Sequence, residues 1–175
     1  MTRLACILVA GLCLSVSAQT RTLQPELAGM RFGFSGHQHD QRFHQTEAFA
    51  DLTLPWHFDL GDTWALDPFI DVSAGWLGGR GEDAFVGTLG PSLRLGPEGL
   101  PVALVGGISP TILSEDQFGD KNLGIPFQFT SHLGLQLTVK SRFELGYRFQ
   151  HLSNAGLGTT NPGLNLHVFT VGCHF

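Results

Sequence analysis

The chain has 175 residues, a formal net charge of −5 and only 14% charged residues. This length suits one domain, and the scarcity of Lys and Arg excludes a nucleic-acid-binding surface, which needs clustered cations. The 23 glycines and 14 phenylalanines, with so few charges, favour a closed sheet that is apolar on its outside over a helical bundle.

The first 18 residues have the pattern of a secretory signal peptide. Arg3 gives a short basic start, an apolar run extends from Leu4 to Val16, and small residues lead to a cleavage site after Ala18. The alternative, an N-terminal transmembrane helix, is disfavoured because the run is shorter than the ~20 residues that a span needs. We therefore predict a signal peptide over 1–18 and one domain over 19–175. The mature chain keeps only Cys173 and cannot form an internal disulfide.

The rest of the chain divides into eight segments of about the length that a tilted barrel strand needs. In chain order they are Glu26–Gly36, Glu47–Leu60, Trp64–Leu77, Ala84–Gly96, Leu100–Pro110, Ile125–Val139, Arg142–His151 and Leu164–Phe175.

Apolar and polar residues alternate with a period of two in these segments, which indicates strands with one apolar and one polar face. The seventh segment shows this clearly, since Phe143, Leu145, Tyr147 and Phe149 alternate with Glu144, Arg148 and other polar residues. We predict an all-β fold, an eight-stranded antiparallel up-and-down transmembrane β-barrel with its charges in the lumen. The alternative is a periplasmic lipocalin-like barrel with its apolar face inside.

The loops fit insertion into the outer membrane of a Gram-negative cell. Short turns at 60–63, 96–99 and 139–141 alternate with mostly longer connections at 37–46, 78–83, 109–124 and 152–163, as expected for periplasmic turns and outer loops. The C-terminal Phe175 resembles the terminal signature of such barrels. An open pore is disfavoured because side chains fill the interior of an eight-stranded barrel.

His151 and Ser153, at the outer end of the seventh segment, are the candidate catalytic residues. Their parity continues the face of Phe149, so both would face lipid, where polar side chains are costly without a purpose. A serine becomes a nucleophile when an adjacent base takes its proton, and the oxyanion that forms needs donors. Asn154 offers a side-chain amide and Gly156 a backbone N–H. The pattern alone also fits an interfacial histidine beside a turn.

The run from Tyr147 to Gly156, followed by 161–165, resembles the signature of the PagL family, lipid A 3-O-deacylases. The resemblance implies an eight-stranded outer-membrane barrel and hydrolysis of the ester-linked 3-hydroxyacyl chain at the 3 position of lipid A, within lipopolysaccharide. It implies His151 as general base and Ser153 as nucleophile. It also implies Asn154 and Gly156 as oxyanion donors and Asn161 as a supporting loop residue.

Asn165 departs from the family pattern, in which this position is the Glu of the triad. An asparagine can orient the imidazole through its carbonyl oxygen but cannot stabilise the imidazolium by charge, and loss of a triad carboxylate can cost on the order of 10⁴ in rate. Parity places Glu144 in the lumen, so it is a poor substitute. His167 shares the face of Asn165 and is interpreted as an interfacial histidine.

Other groupings are weaker. His37, His39 and His44 lie in the first outer loop and fit a solvated loop better than a zinc site. No metal and no cofactor are expected, since ester hydrolysis by a Ser–His pair needs neither. The expected partners are lipid A and the outer membrane, and the sequence leaves a homodimer open.

Two hypotheses about function follow. The first is a serine esterase acting on lipid A, with an outward-facing and hydrogen-bonded His151–Ser153 pair. The second is a catalytically weakened or inactive barrel with a structural or lipid-binding role, for which Asn165 is the best evidence.

Overall fold

The computed structural model describes residues 15–17, 23–36 and 42–175. Eight long strands follow one another: β1 Gln24–Phe34, β2 Phe43–Thr53, β3 Trp64–Gly79, β4 Glu82–Pro97, β5 Val102–Leu113, β6 Phe127–Val139, β7 Phe143–Ser153 and β8 Leu164–His174. Each pairs antiparallel with its neighbours in the chain, and β8 pairs with β1 to close the ring. The predicted eight-stranded up-and-down barrel is confirmed.

The second predicted strand is wrong in its boundaries. It begins four residues early, at Phe43, and stops at Thr53 before a separate short strand, His57–Leu60. Pro55 lies in the gap and lacks an N–H for the ladder, which explains the interruption. A short strand at Ser15–Ser17 pairs with His57–Leu60. The rest of the predicted signal peptide lies outside the described residues.

The lumen holds a buried network of charges. The Arg31 guanidinium lies 2.6 Å from a carboxylate oxygen of Asp71, and that of Arg148 lies 2.9 Å from Glu47 and 3.3 Å from Asp71. All four side chains, together with Asp51, are buried. Each buried charge is paired with a hydrogen-bonded group of opposite charge, because an isolated charge in the lumen would carry a large desolvation cost.

The outside of the barrel is apolar. The exposed large side chains on the strands include Phe32, Phe34, Trp76, Leu89, Leu93, Ile108, Leu133, Leu135, Leu145, Phe149, Phe169 and Val171. A water-soluble barrel would reverse this arrangement, so the lipocalin-like alternative is wrong, and the outer surface is suited to lipid. None of the described residues forms a helix that is long and apolar enough to cross a membrane.

An apolar cluster closes one end of the lumen. It consists of Phe43, Leu77, Ala84, Val86, Leu113, Phe118, Leu123, Leu152, Leu164, Leu166 and Val168. Two short strands, Gln117–Phe118 and Lys121–Asn122, form a hairpin over it, and Phe118 meets Phe43 edge-on at 5.3 Å between ring centroids. Partial burial there lowers the pKa of Lys121. This end carries the longer loops, and the cluster supports the loop of residues 154–163.

One predicted long loop is a tight turn. The connection between β3 and β4 consists of Arg80 and Gly81, both in the left-handed region with φ of 55° and 82°. Two successive positive φ values are those of a type I′ hairpin turn, whose twist matches that of the flanking strands. The long connections described at this end are therefore residues 114–126 and 154–163.

Candidate active site

Three of the predicted site residues lie together on the outer surface of the barrel. His151 and Ser153 end β7, and Asn165 lies near the start of β8, where the register places it opposite His151. All three are half-buried and share the outward face with Phe149. The alternation of inward-facing and outward-facing residues, which predicted a lipid-facing site, therefore continues to the end of β7.

His151 is held by Asn165. Nδ1 of His151 lies 2.6 Å from Oδ1 of Asn165. Because the amide oxygen only accepts, Nδ1 carries the proton and donates it, which leaves Nε2 unprotonated as an acceptor. The predicted orienting contact is present, and it fixes the tautomer that a general base requires.

Gly163 provides the space for the imidazole, a role that sequence reasoning missed. Its φ is +64°, and a Cβ at this position would lie 2.9 Å from Cε1 of His151. A larger residue would be strained in its backbone and would push the ring away from its place. The sequence shows a glycine two residues before Asn165, but its contact with His151 depends on the conformation of the loop, which the sequence does not reveal.

The predicted hydrogen bond between His151 and Ser153 is absent. Within the described part of the chain, the Ser153 hydroxyl makes no hydrogen bond to any residue. The two side chains project from alternate positions of an extended strand and stand roughly parallel, so a side-chain rotation is needed before they meet. Catalytic hydrogen bonds are commonly long without substrate and tighten when it binds.

Asn154 has a structural role in this structure, in which its side-chain amide is not free to act as the predicted oxyanion donor. The residue is fully buried. Its amide nitrogen donates to the carbonyl oxygens of Leu123 at 2.9 Å and Thr160 at 2.7 Å. Both amide hydrogens are used, and the group points into the protein rather than toward the lipid surface. Asn154 therefore joins its own loop to the loop after β5.

Gly156 and Asn161 complete this arrangement. The Gly156 N–H donates to Oδ1 of Asn154 at 2.9 Å, and Oδ1 of Asn161 accepts from the backbone N–H of Asn154 at 3.1 Å. Asn161 therefore contacts the backbone directly after Ser153 in the chain, and its supporting role stays a prediction. The Gly156 donor is engaged within the loop in this structure. Ala155 and Gly156 both have positive φ, 54° and 80°, which makes this a sharp turn beside the serine.

Cavities also lie at the other end of the barrel. One cavity of about 290 Å³ is lined by His57, Asp67, Arg94, Glu98, Gln136 and Glu144, among others. In this cavity Nδ1 of His57 lies 2.6 Å from Oδ1 of Asp67, and the hydrogen bond between them raises the pKa of His57. Three side chains place atoms that could bind a metal ion within 4.8 Å of one another, namely those of His57, Asp59 and Glu98. No pattern in the sequence predicts this group, because Glu98 comes from a different hairpin than His57 and Asp59.

The remaining predicted groups do not join the site. His44 is exposed, with its Nε2 4.0 Å from Asp83, whereas His37 and His39 lie outside the described residues. Glu144 is buried in the lumen, as parity predicted.

Comparisons with known proteins agree with this architecture. The family profile "Lipid A 3-O-deacylase (PagL)" matches residues 44–174. Lipid A deacylase PagL of Bordetella bronchiseptica is 30% identical over 167 residues, which cover 93% of this chain and 92% of that protein. The crystal structure of the outer membrane enzyme PagL superposes with a TM-score of 0.73 at 20% identity, over 83% of this chain and 97% of that one. The fold, the family profile and the curated relative together show that this chain belongs to the PagL family of lipid A 3-O-deacylases.

Proposed function

We propose that this protein is an outer-membrane serine esterase that removes the ester-linked 3-hydroxyacyl chain from the 3 position of lipid A in the outer leaflet. The observation that carries the proposal is the outward-facing His151–Asn165 hydrogen bond beside Ser153, at the end of the barrel that carries the longer loops. A catalytic pair on a lipid-facing surface meets substrates that are themselves lipids. Family membership supports the same substrate.

The reaction follows from the tautomer of His151. Nε2 takes the proton of the Ser153 hydroxyl as the oxygen attacks the ester carbonyl, and it then delivers that proton to the departing sugar hydroxyl. In the second half of the reaction Nε2 takes a proton from a water molecule as its oxygen attacks the acyl carbonyl, and it then delivers that proton to the departing Ser153 oxygen, which releases the free fatty acid. Asn165 keeps its hydrogen bond to Nδ1 throughout and so orients the ring, but it supplies no negative charge to the imidazolium.

The oxyanion needs donors, and the Gly156 N–H is the one we assign. It lies three residues from Ser153, on the exposed side of the turn, and donates to Oδ1 of Asn154 in the free enzyme. We propose that this N–H moves from Asn154 to the oxyanion when the ester occupies the site. Asn154 contributes by holding the turn, because its buried amide cannot reach the lipid.

Mass spectrometry of lipid A tests the proposal. Cells expressing the wild-type protein should lose one 3-hydroxyacyl chain from lipid A, whereas cells expressing Ser153→Ala or His151→Ala at equal barrel levels should not. Unchanged lipid A with a correctly inserted wild-type barrel would refute the esterase assignment.

A weakened or inactive barrel with a structural or lipid-binding role is the second candidate. It is favoured by the missing carboxylate at Asn165 and by the unengaged Ser153 hydroxyl. Under it, wild type leaves lipid A intact while a carboxylate at position 165 restores cleavage. The signal peptide over 1–18 and a homodimer stay predictions, which intact-mass measurement and crosslinking of the membrane-embedded protein would test.

A further inference from the structure

We propose that His57, Asp59 and Glu98 form a binding site for a zinc ion at the end of the barrel that carries the short turns. His57 and Asp59 lie on the short strand His57–Leu60, and Glu98 lies in the turn between β4 and β5. Their metal-binding atoms lie within 4.8 Å of one another. The site is at the opposite end of the barrel from Ser153, and no step of the proposed esterase reaction depends on it.

The spacing of the three side chains is close to that of a zinc site. Nε2 of His57 lies 3.0 Å from Oδ1 of Asp59 and 4.0 Å from Oε1 of Glu98. Ligand atoms that bind zinc tetrahedrally at about 2.1 Å lie about 3.4 Å from one another. The carboxylate side chains are 39% and 56% exposed, so they are free to make the shifts of about 1 Å that bring all three atoms to this spacing.

Asp67 holds the imidazole of His57 in the form that binds a metal. Its Oδ1 lies 2.6 Å from Nδ1 of His57 and accepts the proton of that nitrogen. The tautomer that this hydrogen bond favours leaves Nε2 with a free lone pair on the side of Asp59 and Glu98. A metal-binding histidine ordinarily donates its other N–H to such a carboxylate, which fixes the orientation of the ring and makes the nitrogen a better ligand.

The three carboxylates around His57 carry more negative charge than the protein neutralises. Among the residues that the structure describes, no Lys or Arg forms a salt bridge with any of them, and their ion-pair partner is His57. Arg94 lines the same cavity but is paired with Glu26 and Asp51. A protonated His57 would leave an excess of two negative charges, whereas a divalent cation bound to the neutral imidazole leaves one.

The strands leave room for the ion. The register places Ala65 opposite Asp59 and Gly96 opposite Ala65, and Glu98 follows Gly96 by two residues. Alternate residues of a strand share a face, so two small residues separate the carboxylates of Asp59 and Glu98. Ala65 and Gly96 line the cavity of about 290 Å³ together with His57 and Glu98. An ion can therefore reach Nε2 without displacing a side chain.

Metal binding by the whole protein tests the site. Folded protein without a histidine tag, in detergent micelles, is stripped of metal with a chelator and dialysed against ZnCl₂ at about 10 µM free zinc. Elemental mass spectrometry should find one zinc ion per chain. The same dialysis against CaCl₂ should give no bound calcium, because calcium prefers a full set of oxygen ligands whereas imidazole suits zinc.

The variants separate the proposed ligands from other histidines. His57→Gln and Glu98→Gln should each raise the Kd for zinc at least about tenfold, and Asp67→Asn should raise it by about 10- to 100-fold. His44→Gln is the matched control, because His44 is exposed and lies 4.0 Å from a single carboxylate, that of Asp83. Its Kd should equal that of the wild type.

A folded wild-type protein that binds no zinc overturns the proposal and would make His57 a protonated bridge between Asp59 and Asp67 instead. Zinc binding that His57→Gln and Glu98→Gln both retain overturns it as well. Heat-modifiable mobility on gels shows whether each variant is folded. The Glu98 side chain is exposed in a turn, so Glu98→Gln should fold, and its Kd decides the question even if the loss of His57 impairs folding.

Discussion

Replacing Asn165 with aspartate would place a carboxylate oxygen where the amide oxygen now lies, 2.6 Å from Nδ1 of His151. The two side chains have the same shape, so the change adds a charge without a new geometry. A unit charge about 4 Å from the centre of the imidazolium stabilises it by about 4 kcal/mol at an effective dielectric of 20. Since the site is half-exposed, we expect about 2–3 kcal/mol of this at the transition state, or roughly 30- to 150-fold in kcat.

This gain is smaller than the loss of about 10⁴ seen when a triad aspartate becomes asparagine, and the structure explains why. Part of that loss comes from a wrong tautomer of the histidine, whereas Asn165 already holds His151 in the correct one. Asn165→Glu, with the residue type of the family, should gain less than aspartate because its longer side chain must bend to reach Nδ1. Asn165→Leu should lose roughly tenfold by freeing the ring.

The assay is the initial rate of deacylation by purified protein in micelles, with barrel folding checked by heat-modifiable mobility on gels. Equal rates for wild type and a folded Asn165→Asp variant would refute the charge argument. Equal rates for wild type and Asn165→Leu would refute the orienting role as well.

Gly163→Ala should lower kcat about 10- to 100-fold by displacing His151, while the unfolding midpoint in urea shifts little; a normal kcat would show that the ring tolerates the Cβ. Asn154→Ala leaves two carbonyl oxygens and one N–H without partners, so we expect the local stability of the loop to fall by about 3 kcal/mol or more. Proteolysis at 154–163 should then be faster while the barrel stays intact. Protection of the loop equal to that of the wild type would contradict this. Asp71→Asn leaves Arg31 short of its closest counter-charge and should destabilise the barrel by about 3–5 kcal/mol in urea unfolding, whereas an unchanged midpoint would mean that water enters the lumen to solvate the guanidinium.

The pattern of residues along the chain is enough to predict the barrel and the position of its candidate active site. An alternation with period two, repeated over eight segments, fixes which side chains face lipid, and the parity of His151 and Ser153 with Phe149 placed them on the outside. The resemblance to the PagL family singled out Asn165 as the third member of the site, and its parity with Phe169 placed it on the same outer face as His151. These relations depend only on local geometry and chain order.

Features that depend on loops and on contacts between distant segments became visible in the folded structure alone. The role of Asn154 follows from carbonyl oxygens at Leu123 and Thr160, which a pattern in one segment cannot reveal. The space for His151 arises from the left-handed turn at Gly163. The break in the second strand and the two-residue turn at Arg80 also escaped prediction, since backbone hydrogen bonding across strands sets where a strand ends.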